Sequence, residues 1–373
     1  LRPRLDGGQI AEIASPYQPP RRRCYHAGGP RRPVAKEKFM VRPHLTARIA
    51  PYLRLAALAA VLVAAGSAGA AEPRLLRINS FPNAKALPLQ VGIAKGFFAR
   101  RDLKAELELT ESSKAQRDGL AAGRFQIAQS AIDNAVAMIE VARQDIVIVS
   151  GGDSGMNEFF AQPGINSFAE LRGHVVLVDA PDTAYALQVR KLLAQHGIGA
   201  GDYTAKPAGA GVYRFKAMVE DRNNAAAILN LPFTVQAAQA GMKSLGRTID
   251  LLGPYQAAGG FALRAWAEQN RDTLARYLAA YVESLRWIRD RANRAEAVAL
   301  LVSEQKLPPD IAERTYDQLL DPAFGFTPDA KFDMEGFRSM MALRAEVEGK
   351  TTGAPERYLD FSYYDRAMQM VGQ

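Results

Sequence analysis

Cysteine is almost missing: Cys24 is the only one in 373 residues. From residue 71 onward there is none, which excludes disulfide staples, cysteine-ligated zinc, iron–sulfur clusters and thiol catalysis from that stretch. Histidine is nearly as scarce. Beyond residue 70 only His174 and His196 remain, too few for a multi-histidine metal site, and neither has a serine or carboxylate partner nearby in sequence. Acidic residues are short in one place only. Residues 1–70 hold 12 of the 47 Lys/Arg and 3 of the 39 Asp/Glu, so the formal charge of +8 arises there. The remaining 35 basic and 36 acidic residues nearly cancel, and that balance offers no electrostatic footprint for a nucleic acid.

A membrane-spanning run is also lacking. Leu55 to Ala65 is apolar but only eleven residues long, short of the ~18–20 needed to cross a bilayer. Arg42, Arg48 and Arg54 precede it and the small residues Gly66-Ser-Ala-Gly-Ala70 follow, so residues 40–70 read as a cleavable signal peptide cut near Ala70. No cysteine follows that could carry a lipid anchor, and the downstream chain is expected to be exported and soluble. Residues 1–39, with six prolines and the clusters Arg21-Arg22-Arg23 and Arg31-Arg32, cannot bury a core; they read as a mis-annotated or disordered basic extension.

From Arg74 the chain alternates short apolar runs with amphipathic ones, the pattern of an α/β fold. Strands are expected at 75–79, 104–110, 125–129 and 146–149, with helices at 87–100, 113–122 and 132–142 between them. A break at Gln162-Pro-Gly-Ile165 opens a second unit. Its strands are expected at 173–179, 203–207, 225–229 and 249–252, with helices at 183–196, 213–220 and 233–240. Gly253-Pro254 and Gly259-Gly260 form a second break. Beyond Ala265 the text is helical, with Leu274, Leu278, Tyr281, Val282, Leu285 and Ile288 striping one face. A helical tail without its own sheet packs most simply on the first unit. The architecture expected is therefore two α/β lobes, 74–163 with 254–373 and 164–253, joined by a two-strand hinge around a cleft.

Ligands of open α/β sheets gather outside the carboxyl ends of strands, beside helix N-termini. The loops there supply Ser80, Phe81 and Asn83; Ser130 and Asp133; Asp153 and Ser154; Asp182, Thr183 and Tyr185 in Asp179-Ala-Pro-Asp182-Thr183-Ala-Tyr185; and Asn230 and Phe233. These twelve are the candidate ligand-binding residues, a mixture suited to a small solute. Each also has a purely structural explanation: Asp182 and Thr183 as helix caps, Ser130 with Asp133 as a capping box, Phe81 and Phe233 as core. Arg214 could meet an anion or pair with Glu220 or Asp221. Gly197-Ile-Gly-Ala-Gly201 follows a helix and lacks a Gly-Lys-Ser/Thr sequence, so it is a turn rather than a phosphate loop.

Several segments resemble periplasmic solute-binding proteins of ABC transporters, in the group that includes binders of aliphatic sulfonates, taurine, nitrate and thiamine precursors. Leu87-Pro-Leu-Gln-Val-Gly-Ile-Ala-Lys95-Gly96-Phe97-Phe98 is similar to that group's first helix. Gly119-Leu-Ala-Ala-Gly123-Arg-Phe-Gln-Ile-Ala and Ser167-Phe-Ala-Glu-Leu171-Arg-Gly173 match two further motifs, and Pro181-Asp-Thr183-Ala-Tyr185 falls at the group's Thr/Ser-Gly loop. The resemblance spans 75 to about 350, with Gln126 in place of a usual aspartate and Asn223-Asn224 in the second glycine–aspartate motif. It implies a type II periplasmic binding fold, location in the periplasm, hinge closure on a small solute and delivery to an inner-membrane ABC permease. A monomer with no cofactor, no metal and no catalytic residue is expected. Asp133, Asp153 and Asp182 would crowd three carboxylates at the cleft and repel a bare sulfonate or nitrate unless arginine or several N–H groups compensate. A pyrimidine, amine or zwitterion therefore stands beside an organic anion as the expected solute. The alternatives are a thiamine-pyrimidine synthase-like enzyme on the same scaffold, which would need reactive side chains in the cleft, and a ligand-sensing partner for a membrane receptor.

Overall fold

The computed structural model describes residues 72–372; the signal-peptide and basic-extension readings fall outside the described residues. In chain order the elements are β1 (Arg74–Ser80), α1 (Leu87–Ala94), β2 (Leu103–Leu109), α2 (Ser113–Ala121), β3 (Ile127–Ala131), α3 (Ile132–Glu140), β4 (Ile146–Asp153) and β5 (Asn157–Ala161). Next come β6 (Val175–Val178), α4 (Ala184–Gln195), β7 (Thr204–Pro207), α5 (Gly211–Glu220), β8 (Asn224–Asn230), α6 (Phe233–Gln239), β9 (Lys243–Arg247) and α7 (Thr248–Leu252). The chain ends with β10 (Ala258–Leu263), α8 (Arg264–Gln269), α9 (Arg271–Arg289), α10 (Arg294–Gln305), α11 (Pro309–Leu319), α12 (Met334–Glu348) and α13 (Ser362–Val371).

Two five-stranded sheets result, ordered β2-β1-β3-β10-β4 and β7-β6-β8-β5-β9. Parallel pairs dominate the β1–β2–β3 and β6–β7–β8 segments, as strand–helix–strand alternation requires. Both sheets are mixed, because β10 runs antiparallel to β3 and β4, and β5 antiparallel to β8 and β9. Helices cover both faces of each sheet. Buried Leu274, Tyr277, Leu278, Tyr281 and Leu285 of α9 pack with β1 and α1 on one face of the first sheet; α3 and α12 cover the other. The apolar stripe explains the length of α9, and its ends suit its dipole, with Asp272 in the first turn and Arg286 and Arg289 in the last.

The differences from the sequence reading lie where apolar runs are short. Thr248–Leu252 is a helix, and the strand is the preceding Lys243–Arg247; KSLGR carries no alternation, and a short apolar run does not distinguish helix from strand. The break at Gly259-Gly260 is the interior strand β10, between β3 and β4. A Cβ at Gly259 would lie 2.2 Å from the Ser150 carbonyl oxygen, so only glycine lets β10 sit this close to β4. Asn157–Ala161, expected in the first lobe, joins the second sheet. The chain therefore crosses from one sheet to the other at residues 154–156 and returns at 253–257, and Asp153 and Ala258, at the edges of these two segments, are paired across β4 and β10. The helical text beyond Ala265 is broken at Asn270 into α8 and α9.

No helix among the described residues is long and apolar enough to cross a membrane.

Candidate functional site

The carboxyl ends of β1, β3 and β4, the starts of β5 and β10 and the first turns of α2 and α4 converge on a cavity of about 40 Å³, room for only a few water-sized groups. Six of the twelve expected residues line it: Ser80, Phe81 and Asn83 after β1, Ser130 at the end of β3, Asp153 at the end of β4 and Tyr185 in the first turn of α4. Asn83 accepts a hydrogen bond from the Lys85 backbone N–H (3.0 Å) and so shapes the 3₁₀ turn Ala84–Ala86. That turn brings the Lys85 ammonium to 2.8 Å from the Asp153 carboxylate. Lys85 is 14% exposed and Asp153 2%. Burial works against the lysine charge, but Asp153, aided by the Tyr185 hydroxyl, outweighs it and holds the Lys85 pKa above its ordinary value. The cavity thus contains one charged pair of zero net charge.

The remaining six stand outside the lining. Asp133 pairs with Arg344 (2.7 and 3.0 Å), both side chains 1% exposed. Asp182 takes a bidentate bond from Arg117 (2.8 and 3.0 Å). Thr183 is buried, its hydroxyl donating to the Ala180 carbonyl at 2.9 Å. Ser154 lies in the crossing segment. Asn230 reaches the cavity indirectly, donating to the Tyr185 hydroxyl at 2.8 Å. Phe233 instead stacks on Phe215 (ring centroids 6.0 Å apart) in a separate groove of about 490 Å³. The expected crowding of three carboxylates is therefore corrected: two of the three face away, and each of the three has its own cation.

Sequence reasoning missed Lys85, Ser113, Gln129, Asn157, Gln188, Tyr255 and Tyr281, all of which line the cavity. Gln188 was legible in principle, one helical turn after Tyr185, whereas Tyr281 belongs to the α9 stripe and carries no mark separating it from core. Burial pushes the pKa values of the Tyr255 and Tyr281 phenols up, so both stay neutral donors at physiological pH. Arg214 pairs with neither surface carboxylate expected for it. It is 1% exposed, donates to the Ile228 and Gly209 carbonyls, and lies 4.5 Å from the centre of the Tyr185 ring.

The two halves of the fold touch around this cavity. Ala84 N–H donates to the Leu231 carbonyl (3.0 Å) and Ala210 N–H to the Glu111 carbonyl (2.8 Å). Arg117 holds Asp182, Arg344 reaches the Asp182 carbonyl (3.2 Å), and Glu346 of α12 pairs with Lys191 of α4 (2.5 Å). Gly209 sits at the tightest approach, with φ +74° and a would-be Cβ 2.9 Å from the Glu111 carbonyl oxygen. Gly209→Ala is expected to weaken this contact by about 1–2 kcal/mol, counting the left-handed backbone alone, and to raise the radius of gyration in small-angle X-ray scattering; an unchanged radius with unchanged stability would count against a close approach here.

The Asp182 contact gives the closure a pH dependence. Burial alone would raise the Asp182 pKa, but the Arg117 hydrogen bonds and charge, with Arg344 behind them, hold it below its ordinary value. A depressed carboxylate pKa contributes its stability fully above about 3.8 and loses it as pH falls through the depressed value. Asp182 is 43% exposed, so screening limits the effect to about 1 kcal/mol or less. Amide exchange of the 179–183 loop should rise on acidification below pH 4, and Asp182→Asn should flatten that rise.

A protein-family model described as the NMT1-like family matches residues 69–302. No curated protein matches the chain. Among solved structures, a ligand-binding component of an ABC-type import system from Staphylococcus aureus, with zinc bound, superposes with a TM-score of 0.67 at 16% identity, covering 79% of this chain and 99% of that one. The periplasmic nitrate-binding protein of Synechocystis PCC 6803 gives 0.64 at 14% identity, covering 80% and 89%. The alkanesulfonate-binding protein of Xanthomonas axonopodis pv. citri, bound to MOPS, gives 0.61 at 16%, covering 73% and 92%. These similarities, with two mixed sheets flanked by helices, show the periplasmic binding protein fold. The family match covers well over half of the sequence, and the chain belongs to the NMT1-like family.

Proposed function

We propose that the protein is the solute-binding subunit of an ABC importer, which captures a small organic molecule in the periplasm and presents it to an inner-membrane permease. The observation that carries this reading is the cavity itself, a chamber walled by both halves that sets a few polar side chains and the Lys85–Asp153 pair in a mostly apolar lining. Segments 154–156 and 253–257 act as the hinge between two lobes, one built on each sheet. Solute bridges the lobes and shifts the open–closed equilibrium by preferring the closed form. Ser80, Ser130, Asp153 and Tyr185 contact the solute, Phe81 packs beside it, and Asn230 orients the Tyr185 hydroxyl. Asp182 serves closure instead, Asp133 holds the Arg344 that reaches it, and Thr183 ties down its own loop. The protein works as an exported monomer and binds its solute without altering it: Lys85 is tied up as half of an ion pair, and burial keeps the Tyr255 and Tyr281 phenols neutral.

Isothermal calorimetry and thermal shift with a panel of sulfonates, carboxylates, amines, amino acids and pyrimidines test the reading. A hit that raises the melting temperature and reduces the radius of gyration is the expected result. Chemical conversion of the bound compound by the purified protein would replace binding with the enzyme alternative.

A further inference from the structure

The N-terminus of α2 lies at the cavity, where Ser113 forms part of the wall. A helix start at a cleft usually offers an anion several unpaired N–H groups and a partial positive charge. Here the chain supplies its own anion. The Asp179 carboxylate, 3% exposed at the end of β6 in the other half, accepts the Ser113 N–H (3.2 and 3.4 Å to its two oxygens) and the Ser113 hydroxyl proton. Asn134 donates to the same hydroxyl oxygen (2.9 Å), and Ser112, the helix cap, takes the Ala115 N–H (3.1 Å). With Asp179 in place, neither polar group of Ser113 is left for a solute.

A second, independent observation comes from the opposite wall. Asn157 and Gln188 line the same cavity, 4% and 1% exposed, and their side-chain oxygens have no hydrogen-bond partner. Buried acceptors without partners are costly unless a donor arrives. The Ser130 and Tyr255 hydroxyls, which can donate or accept, are likewise without a partner; Asp179 thus closes the start of α2 to an anion, while Asn157 and Gln188 offer acceptors that only a donor satisfies.

We infer that Asp179 is a specificity determinant: by occupying the start of α2 in the closed form, it selects for solutes that bear hydrogen-bond donors and no net negative charge. An anion at that helix end would have to expel a like-charged group and would oppose closure. The inference rests on the solute-binding reading and narrows it to one class of molecule.

The test compares acetamidinium with acetate, of similar shape and opposite charge, and adds nitrate and methanesulfonate, in calorimetric titrations of the wild type, Asp179→Asn and Asp179→Ser. The wild type should bind acetamidinium at least ten-fold more tightly than acetate, and either variant should gain at least ten-fold in affinity for acetate, nitrate or methanesulfonate. Wild-type binding of an anion as strong as that of the variants overturns the inference, as does the absence of any gain in both variants. Hydrogen exchange of the wild type supplies a readout independent of variant folding. The Ser113 amide should be protected without added anion, and fast exchange there would also overturn the assignment. The solute-binding reading is judged separately, by whether any compound of the wider panel closes the wild type.

Discussion

Arg344→Met is expected to lower the melting temperature by roughly 10 °C. Arg344 and Asp133 are each 1% exposed and joined by two hydrogen bonds, with Glu348 adding a third contact at 2.6 Å. Methionine fills much of the arginine volume but leaves Asp133 buried without its cation. Breaking one side of such a pair costs about 3–5 kcal/mol, and in a domain of this size each kcal/mol moves the transition by ~2–4 °C. The double variant Arg344→Met/Asp133→Leu separates causes. If the stranded carboxylate carries the loss, the double variant melts well above Arg344→Met alone. A single variant within 2 °C of wild type would show that solvent or a neighbour relieves the charge.

Asp153→Ala is expected to strike both stability and binding. Its carboxylate serves Lys85 at 2.8 Å and the Gly155 N–H at 2.9 Å. Without it, Lys85 is left a largely buried ammonium with no counter-ion, again at a cost of about 3–5 kcal/mol. Adding Lys85→Met should restore most of the thermal stability, because two apolar side chains tolerate burial where a lone charge does not. Solute affinity should remain lost in the double variant, since the cavity then has neither charge. Recovery of stability together with binding would remove the ion pair from the recognition site.

Much of this molecule could be read before its coordinates. The alternation of short apolar runs with amphipathic ones placed most helices and the parallel strands within a few residues. What escaped was non-local. The antiparallel strands β5 and β10 carry short or glycine-broken text whose state is set by neighbours on both sides, as Gly259 against Ser150 illustrates. The loop rule likewise found Ser80, Phe81, Asn83, Ser130, Asp153 and Tyr185, because strand ends point to one place. It could not tell which carboxylates turn inward, since Asp133 and Asp182 are claimed by Arg344 and Arg117, distant in sequence. Nor could it separate Asp179, quoted in the same loop, from a turn residue, because its partner Ser113 lies 66 positions away.

Asp153 ends β4, faces Ala258 across the ladder and also forms the floor of the cavity. Both connecting segments thus spring from a single spot, and in the proposed role the captured molecule would rest at the fulcrum of a lever. A swivel about that spot leaves the β4–β10 ladder intact, because both of its strands belong to the first sheet. In the proposed role, a small shift beside Lys85 would be magnified along the arms, so that the outer rims would report whether the chamber is filled without themselves touching what fills it.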